Sequence, residues 1–248
     1  MTMKKKYKLT DESIKFNNRT LYRIEALKDF GDVEKGDKGG FIEDEHNLSH
    51  DGNSWVYGNG MVCDNGRVYG NGRVYVNGRV CDNGMVYGNG TVCGNGMVYG
   101  NGRVYVNGRV CDNGMVCGNG RVYGKGMVCG NGMVYGNGRV YGNGMVYGNG
   151  KVYGNGRVCG NGMVCGDGMV CGDAKIENNS DYIVFKNWWS SGRYFTWTRS
   201  NDMWKVGCFS GTGEELIKKA YQDSEKSGRE YERVVKYIEE IKKENYGK

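Results

Sequence analysis

A chain of 248 residues with 45 Gly, no Pro and a net charge of +6 lies outside ordinary globular composition, where glycine is about 7%. Its charged fraction of 25% is ordinary, so the mild basic excess permits a polyanionic partner without demanding one. No apolar run reaches membrane-spanning length and no apolar signal core follows Lys4-Lys5-Lys6, so a soluble, cytoplasmic chain with no membrane partner and ten reduced Cys is expected.

In chain order, Tyr7-Lys8-Leu9 and Thr20 to Leu27 carry strand character, with Asn17-Asn18 as the turn between them. Gly40-Phe41-Ile42-Glu43 and Leu48 already hold the phase of the repeat that follows, displaced by two extra residues in His50-Asp51-Gly52-Asn53. Residues 1–53 therefore read as N-terminal strands and a cap, which a solenoid needs because its end exposes a sheet edge and an open core.

From Val56 to Val170 a valine stands at every sixth position, and Ile176 closes the series. A strict period with the unit small-X-Val-(Tyr/Cys)-Gly-Asn is the mark of a solenoid whose turns are too small to fold alone. The spacing predicts a strand over Gly, X, Val and Tyr, with Gly and Val inward, X and Tyr outward, and Gly-Asn at the corner. The inward small place is almost always Gly, so Gly72→Ala or Gly102→Ala is expected to raise the melting temperature and Gly70→Ala, at a corner, to lower it.

Beyond the repeat, Tyr182 to Trp189, Tyr194 to Arg199 and Met203 to Phe209 are aromatic strand candidates. Two helices follow, one opened by the capping box Thr212-Gly213-Glu214-Glu215 and one by Ser227-Gly228-Arg229-Glu230. Residues 180–248 read as a small α+β module, in which Trp188, Trp189, Trp197 and Trp204 supply core, or with Arg193 and Arg199 a stacking platform.

The repeat, an aliphatic residue preceded two positions earlier by a small one, resembles the hexapeptide repeat of left-handed parallel β-helices. That resemblance implies triangular coils of three hexapeptides. The expected fold is thus mainly β: a single-stranded parallel β-solenoid over residues 54–179, about seven coils and roughly 30 to 35 Å long, between a β cap and the α+β module. The combination of Tyr22 to Val33, Lys35 to Glu43, Asn47-Leu48-Ser49 and Trp55 to Gly58 is similar to a group of bacterial and phage-borne hexapeptide-repeat proteins, loosely labelled polymer-forming cytoskeletal or transferase-like. Asp181 to Lys186 with Gly207 to Thr212 is similar to a tail of the same phage-associated proteins. The resemblance implies a phage or prophage setting, virion association included, but no particular reaction.

Acyl transfer in left-handed β-helices relies on a histidine at a cleft between subunits, beside a loop thrown out from a coil. Here only His46 and His50 exist, both in the cap and read as solvated, and the coils carry no loops, so no catalytic residue, cofactor or metal is expected. Eighteen-residue counting instead aligns Arg67, Arg103, Arg121, Arg139 and Arg157 on one face, beside Tyr69, Tyr87, Tyr105, Tyr123 and Tyr141. Like charges so stacked repel, and a bound polyanion would relieve them, with nucleic acid one candidate. A solvated face of arginine stems lying over tyrosine rings is the plainer alternative.

A second face carries Met61, Met97, Met115, Met133 and Met169, interrupted by Arg79 and Lys151; an apolar flat strip marks self-association or a protein partner. Cys93, Cys111 and Cys129 stack on successive coils, as do Cys63 and Cys81, within disulfide or soft-metal reach, although drift on a tolerant surface accounts for them too. The phrase GRVYVNGRVCDNGMV at 72–86 recurs at 102–116, an offset of thirty that scrambles the faces and reads as tandem duplication of hexapeptides. The expected function is a non-enzymatic structural or interaction rod. An inhibitor of a host defence protein, acting through cap or tail, fits the same setting.

Overall fold

Each hexapeptide contributes one strand of two residues, the outward X and the inward Val. In a computed structural model describing residues 5–246, twenty-one such strands run from β4 (Trp55–Val56) to β24 (Lys175–Ile176). Met1 to Lys4 and Gly247-Lys248, at the outer ends of the expected first and third regions, lie outside the described residues. Before the repeat come β1 (Tyr7–Phe16), β2 (Arg19–Ala26) and β3 (Lys38–Ile42).

Strands eighteen residues apart pair in parallel, Val74 with Val92 and Val92 with Val110, and so build three sheets around one column of buried valines. The coil count is about eight, because β3 and a bridge from Leu48 to Val68 add a turn ahead of the valine run. That turn is longer by two residues: Ile42 lies against Val62, whereas every later valine lies against the one eighteen residues on. The surplus sits in His50 to Asn53, as its sequence implies.

The strands are half the expected length because the corner takes the remaining four residues. Gly72 N–H donates to Tyr69 O at 3.1 Å across Gly70-Asn71, with Gly70 at φ +63, which closes a four-residue turn. The small inward glycine closes this turn, and there the expectation of spare room fails. A Cβ on Gly72 would stand 2.5 Å from Val86 O, and one on Gly102 2.6 Å from Val116 O. The inward direction is right, but the backbone of the next coil already fills the space.

Both ends of the core are closed. At the start, β1 pairs antiparallel with β2 through a two-residue turn at Asn17 (φ +46) and Asn18 (φ +61), and β2 pairs antiparallel with β3. Tyr7 and Phe30 pack edge-on against Trp55 at 6.1 and 5.3 Å, and the fully buried Lys6 donates from Nζ to Ser54 O at 2.8 Å.

At the far end a sheet of β25 (Tyr182–Lys186), β26 (Tyr194–Thr198), β27 (Met203–Val206) and β28 (Phe209–Gly211) packs on α1 (Gly213–Asp223) and α2 (Glu225–Tyr246). It meets the last coils through Met169 N–H to Thr196 Oγ1 at 3.0 Å and Lys175 N–H to Ser200 Oγ at 2.6 Å. The second core contains Trp189, Trp197 and Trp204, whereas Trp188 is 71% exposed. The box at Thr212 and Glu215 forms as expected. The second helix, however, begins earlier: Ser224 Oγ accepts from Ser227 N–H at 3.1 Å, and Gly228 lies inside α2 where it meets the Tyr221 ring too closely for a side chain.

Candidate binding faces

Because every coil of the valine run is eighteen residues, a position repeats at the spacing of stacked strands and forms a ladder. On the first face Arg103 pairs in register with Arg121, Arg121 with Arg139 and Arg139 with Arg157, while Met85 separates Arg67 from Arg103. The adjacent tyrosines stack as an unbroken column: Tyr69, Tyr87, Tyr105, Tyr123 and Tyr141 have ring centroids 4.8 to 5.0 Å apart and planes within 9°. Burial in the stack pushes the hydroxyls of Tyr69 and Tyr105 up, with neighbouring tyrosines adding and nearby guanidiniums opposing.

None of these five arginines forms an ion pair with a carboxylate among the described residues, whereas Arg73 reaches Asp32 at 3.1 Å and Arg19 reaches Glu43 at 2.7 Å. The column ends in Lys175, which is paired to Glu177 at 2.9 Å.

Where this face begins, a cavity of about 440 Å³ is lined by Arg67 and Tyr69 together with Glu45, His46 and His50. His46 sits 2.8 Å from Asp64 O and stays partly exposed. His50 is not solvated as expected, because the start of β1 covers it. Its ring stacks on Tyr7 at 4.3 Å, Nδ1 accepts from Lys6 N–H at 3.2 Å, and Nε2 lies 3.6 Å from Glu45.

The second face aligns Met97, Met115 and Met133 in direct register, with Arg79 before them and Lys151 after. Met61 and Met169 stand apart from this run. Met61 packs against Leu21 and Phe41 below the β1–β2 hairpin, and Met169 borders a cavity of about 560 Å³ that Met115, Met133, Lys151, Arg193 and Tyr194 also line.

Two features escaped sequence reasoning. Met127, Met145 and Met163 form a second methionine run on the third face, which the same counting would have found. The corner asparagines form ladders in which each Nδ2 donates to the next Oδ1, from Asn77 through Asn95, Asn113, Asn131 and Asn149 to Asp167 at 3.1 to 3.3 Å. Their only sequence signal is an Asn repeated at the coil period. The third face also brings Cys111, Asp112 and Cys129 together, with donor atoms within 4.8 Å of one another, and Asp112 Oδ2 accepts from Gly130 N–H at 3.3 Å.

No family model and no curated protein matches the chain. What the fold and its faces define is a capped parallel β-solenoid that carries regular ladders of Arg, Tyr, Met and Asn on its sides. No helix among the described residues is long and apolar enough to cross a membrane.

Proposed function

We propose that this chain is a non-enzymatic interaction scaffold, a rigid rod that meets another copy of itself or a protein partner through its sides, in a phage or prophage setting. The observation that carries this reading is the combination of two closed ends with flat, in-register faces. With one sheet continued by the hairpin at the start and the tail bonded to Met169 and Lys175 N–H at the far end, contact along the flanks is the favoured way to use a repetitive surface. The half-exposed run Met97, Met115, Met133 is the apolar flank suited to it. Light scattering across a wide concentration range tests this. Association that Met97→Ser, Met115→Ser and Met133→Ser together abolish supports it, and a monomer throughout removes self-assembly.

A second reading, binding of nucleic acid or another polyanion, is favoured by an arginine column without carboxylate partners among the described residues, beside a continuous tyrosine stack. Retention on single-stranded DNA at low salt should weaken as salt rises and drop with Arg103→Ser, Arg121→Ser and Arg139→Ser combined. Unaltered retention in that variant sinks the reading.

A further inference from the structure

We propose that Cys63 and Cys81 are a thiol pair that closes to a disulfide by exchange with a small-molecule disulfide of the glutathione type, stapling two neighbouring coils at the start of the rod. The two residues follow Val62 and Val80, which are directly paired in parallel, and their sulfurs lie 2.7 Å apart. Neighbouring coils are spaced like strands, at about 4.8 Å, within the Cα separation that a disulfide accepts. Closure to a bond of about 2.05 Å therefore asks for a sulfur movement of well under 1 Å.

The surroundings give the two thiols different parts. Cys63 is buried beneath Leu21 and Phe41 of the hairpin and β3. Cys81 lines a cavity of about 350 Å³ shared with Phe16, Asn17, Arg79 and Tyr99, so a small disulfide reaches Cys81 first. The hydrogen bond from Cys63 holds the Cys81 thiol below its ordinary range, and Arg79 adds to this against burial and the charges of Asp64 and Asp82. The same hydrogen bond, with burial, pushes Cys63 up, so of the two thiols Cys81 gives up its proton the more readily.

In the first step Cys81 thiolate attacks one sulfur of glutathione disulfide, forms a mixed disulfide and expels a glutathione thiolate. Cys63 then loses its proton and attacks Cys81 Sγ, expelling the second glutathione. Two protein thiols are oxidised by two electrons, one glutathione disulfide is reduced, and both protons leave on the two glutathiones.

The intact 248-residue chain, equilibrated in glutathione buffers of rising oxidised fraction, quenched by alkylation and mapped by peptide mass spectrometry, tests this. The exposed Cys208 serves as the internal reference. The expected result is a Cys63–Cys81 bridge in the wild type at a ratio where Cys208 carries only mixed glutathione disulfide. Cys63→Ser should accumulate the glutathione adduct on Cys81, and Cys81→Ser should leave Cys63 unmodified. Wild-type Cys63 and Cys81 both recovered alkylated where Cys208 is glutathionylated, or a bridge within Cys93, Cys111 and Cys129 in its place, overturns the proposal. The wild-type map decides even where a serine variant folds poorly.

Discussion

Val76 and Val106 each hold φ +59, a left-handed conformation that other coils give to glycine or aspartate. A β-branched residue there costs about 1–2 kcal/mol, and neither side chain recovers it by burial, since Val76 is 56% and Val106 48% exposed. Glycine gives back part of that gain through its looser unfolded chain, so Val76→Gly should stabilise by about 0.5–1 kcal/mol, read as a higher midpoint in urea. A lower midpoint would show that the valine holds a contact of its own. Gly72→Ala should act oppositely, costing about 1–3 kcal/mol because its Cβ meets the Val86 carbonyl, and a raised melting temperature would restore the open-space reading. Lys6 adds a pH dependence. Burial, with the charge of Lys28, lowers it to about 8, against an unfolded value of about 10.4. The unfolded chain therefore holds more protons between those values, so this site adds stability as pH rises through that window; below 8 its burial cost is full and constant. Relative to Lys6→Met, the wild type should gain stability between pH 8 and 10 in denaturant titrations. Parallel pH profiles for the two would refute this. Tyr7, pushed up by burial, acts with the opposite sign above pH 10 and largely cancels in the comparison.

At the scale of the coil, the corner asparagines add side-chain hydrogen bonds to the backbone bonds that already join neighbours, such as Arg67 N–H to Gly84 O and Tyr69 N–H to Val86 O. One ladder runs from Asn71 through Asn89 to Asn107 and resumes at Asn143 and Asn161, with Lys125 in the gap. Lys125→Asn should join the halves with two exposed amide hydrogen bonds, raising stability by about 0.5–1 kcal/mol. Lys125→Ala, which removes the charge without supplying the amide, should not, and equal midpoints for the two variants would assign any gain to charge alone. The coil itself was legible because Val56 to Val170 never slip phase, and a buried column with a fixed period admits one stacking register. The arginine and tyrosine columns followed from counting alone. What the period could not convey was distance between chains. It places Gly72 inward without revealing that Val86 O already stands there, and aligns Cys63 with Cys81 as it aligns Cys93 with Cys111. Only the hairpin packed over Cys63 separates those pairs, and that packing depends on Leu21 and Phe41, outside the repeat.

For the molecule as a whole, the ends decide what the sides are free to do. A solenoid of identical coils is its own best partner, because its last strand offers the same N–H and C=O row that its first strand would accept. Here the β1–β2 hairpin extends one sheet antiparallel over the first coil, and the tail engages Met169 and Lys175 N–H through the hydroxyls of Thr196 and Ser200. Side-chain hydroxyls satisfy those groups without presenting another strand to copy, so growth along the axis stops. Removing residues 180–248 should therefore expose β22 (Met163–Val164), β23 (Met169–Val170) and β24 as an open rim, along with the end of the valine core. The truncated chain should keep its β-type circular dichroism yet associate with rising concentration into end-to-end oligomers or filaments, visible by light scattering and negative-stain microscopy. A truncated chain that retains its β signal and remains monomeric would show that the tail does not serve as the stop, because the coil end then fails to associate even when it is open.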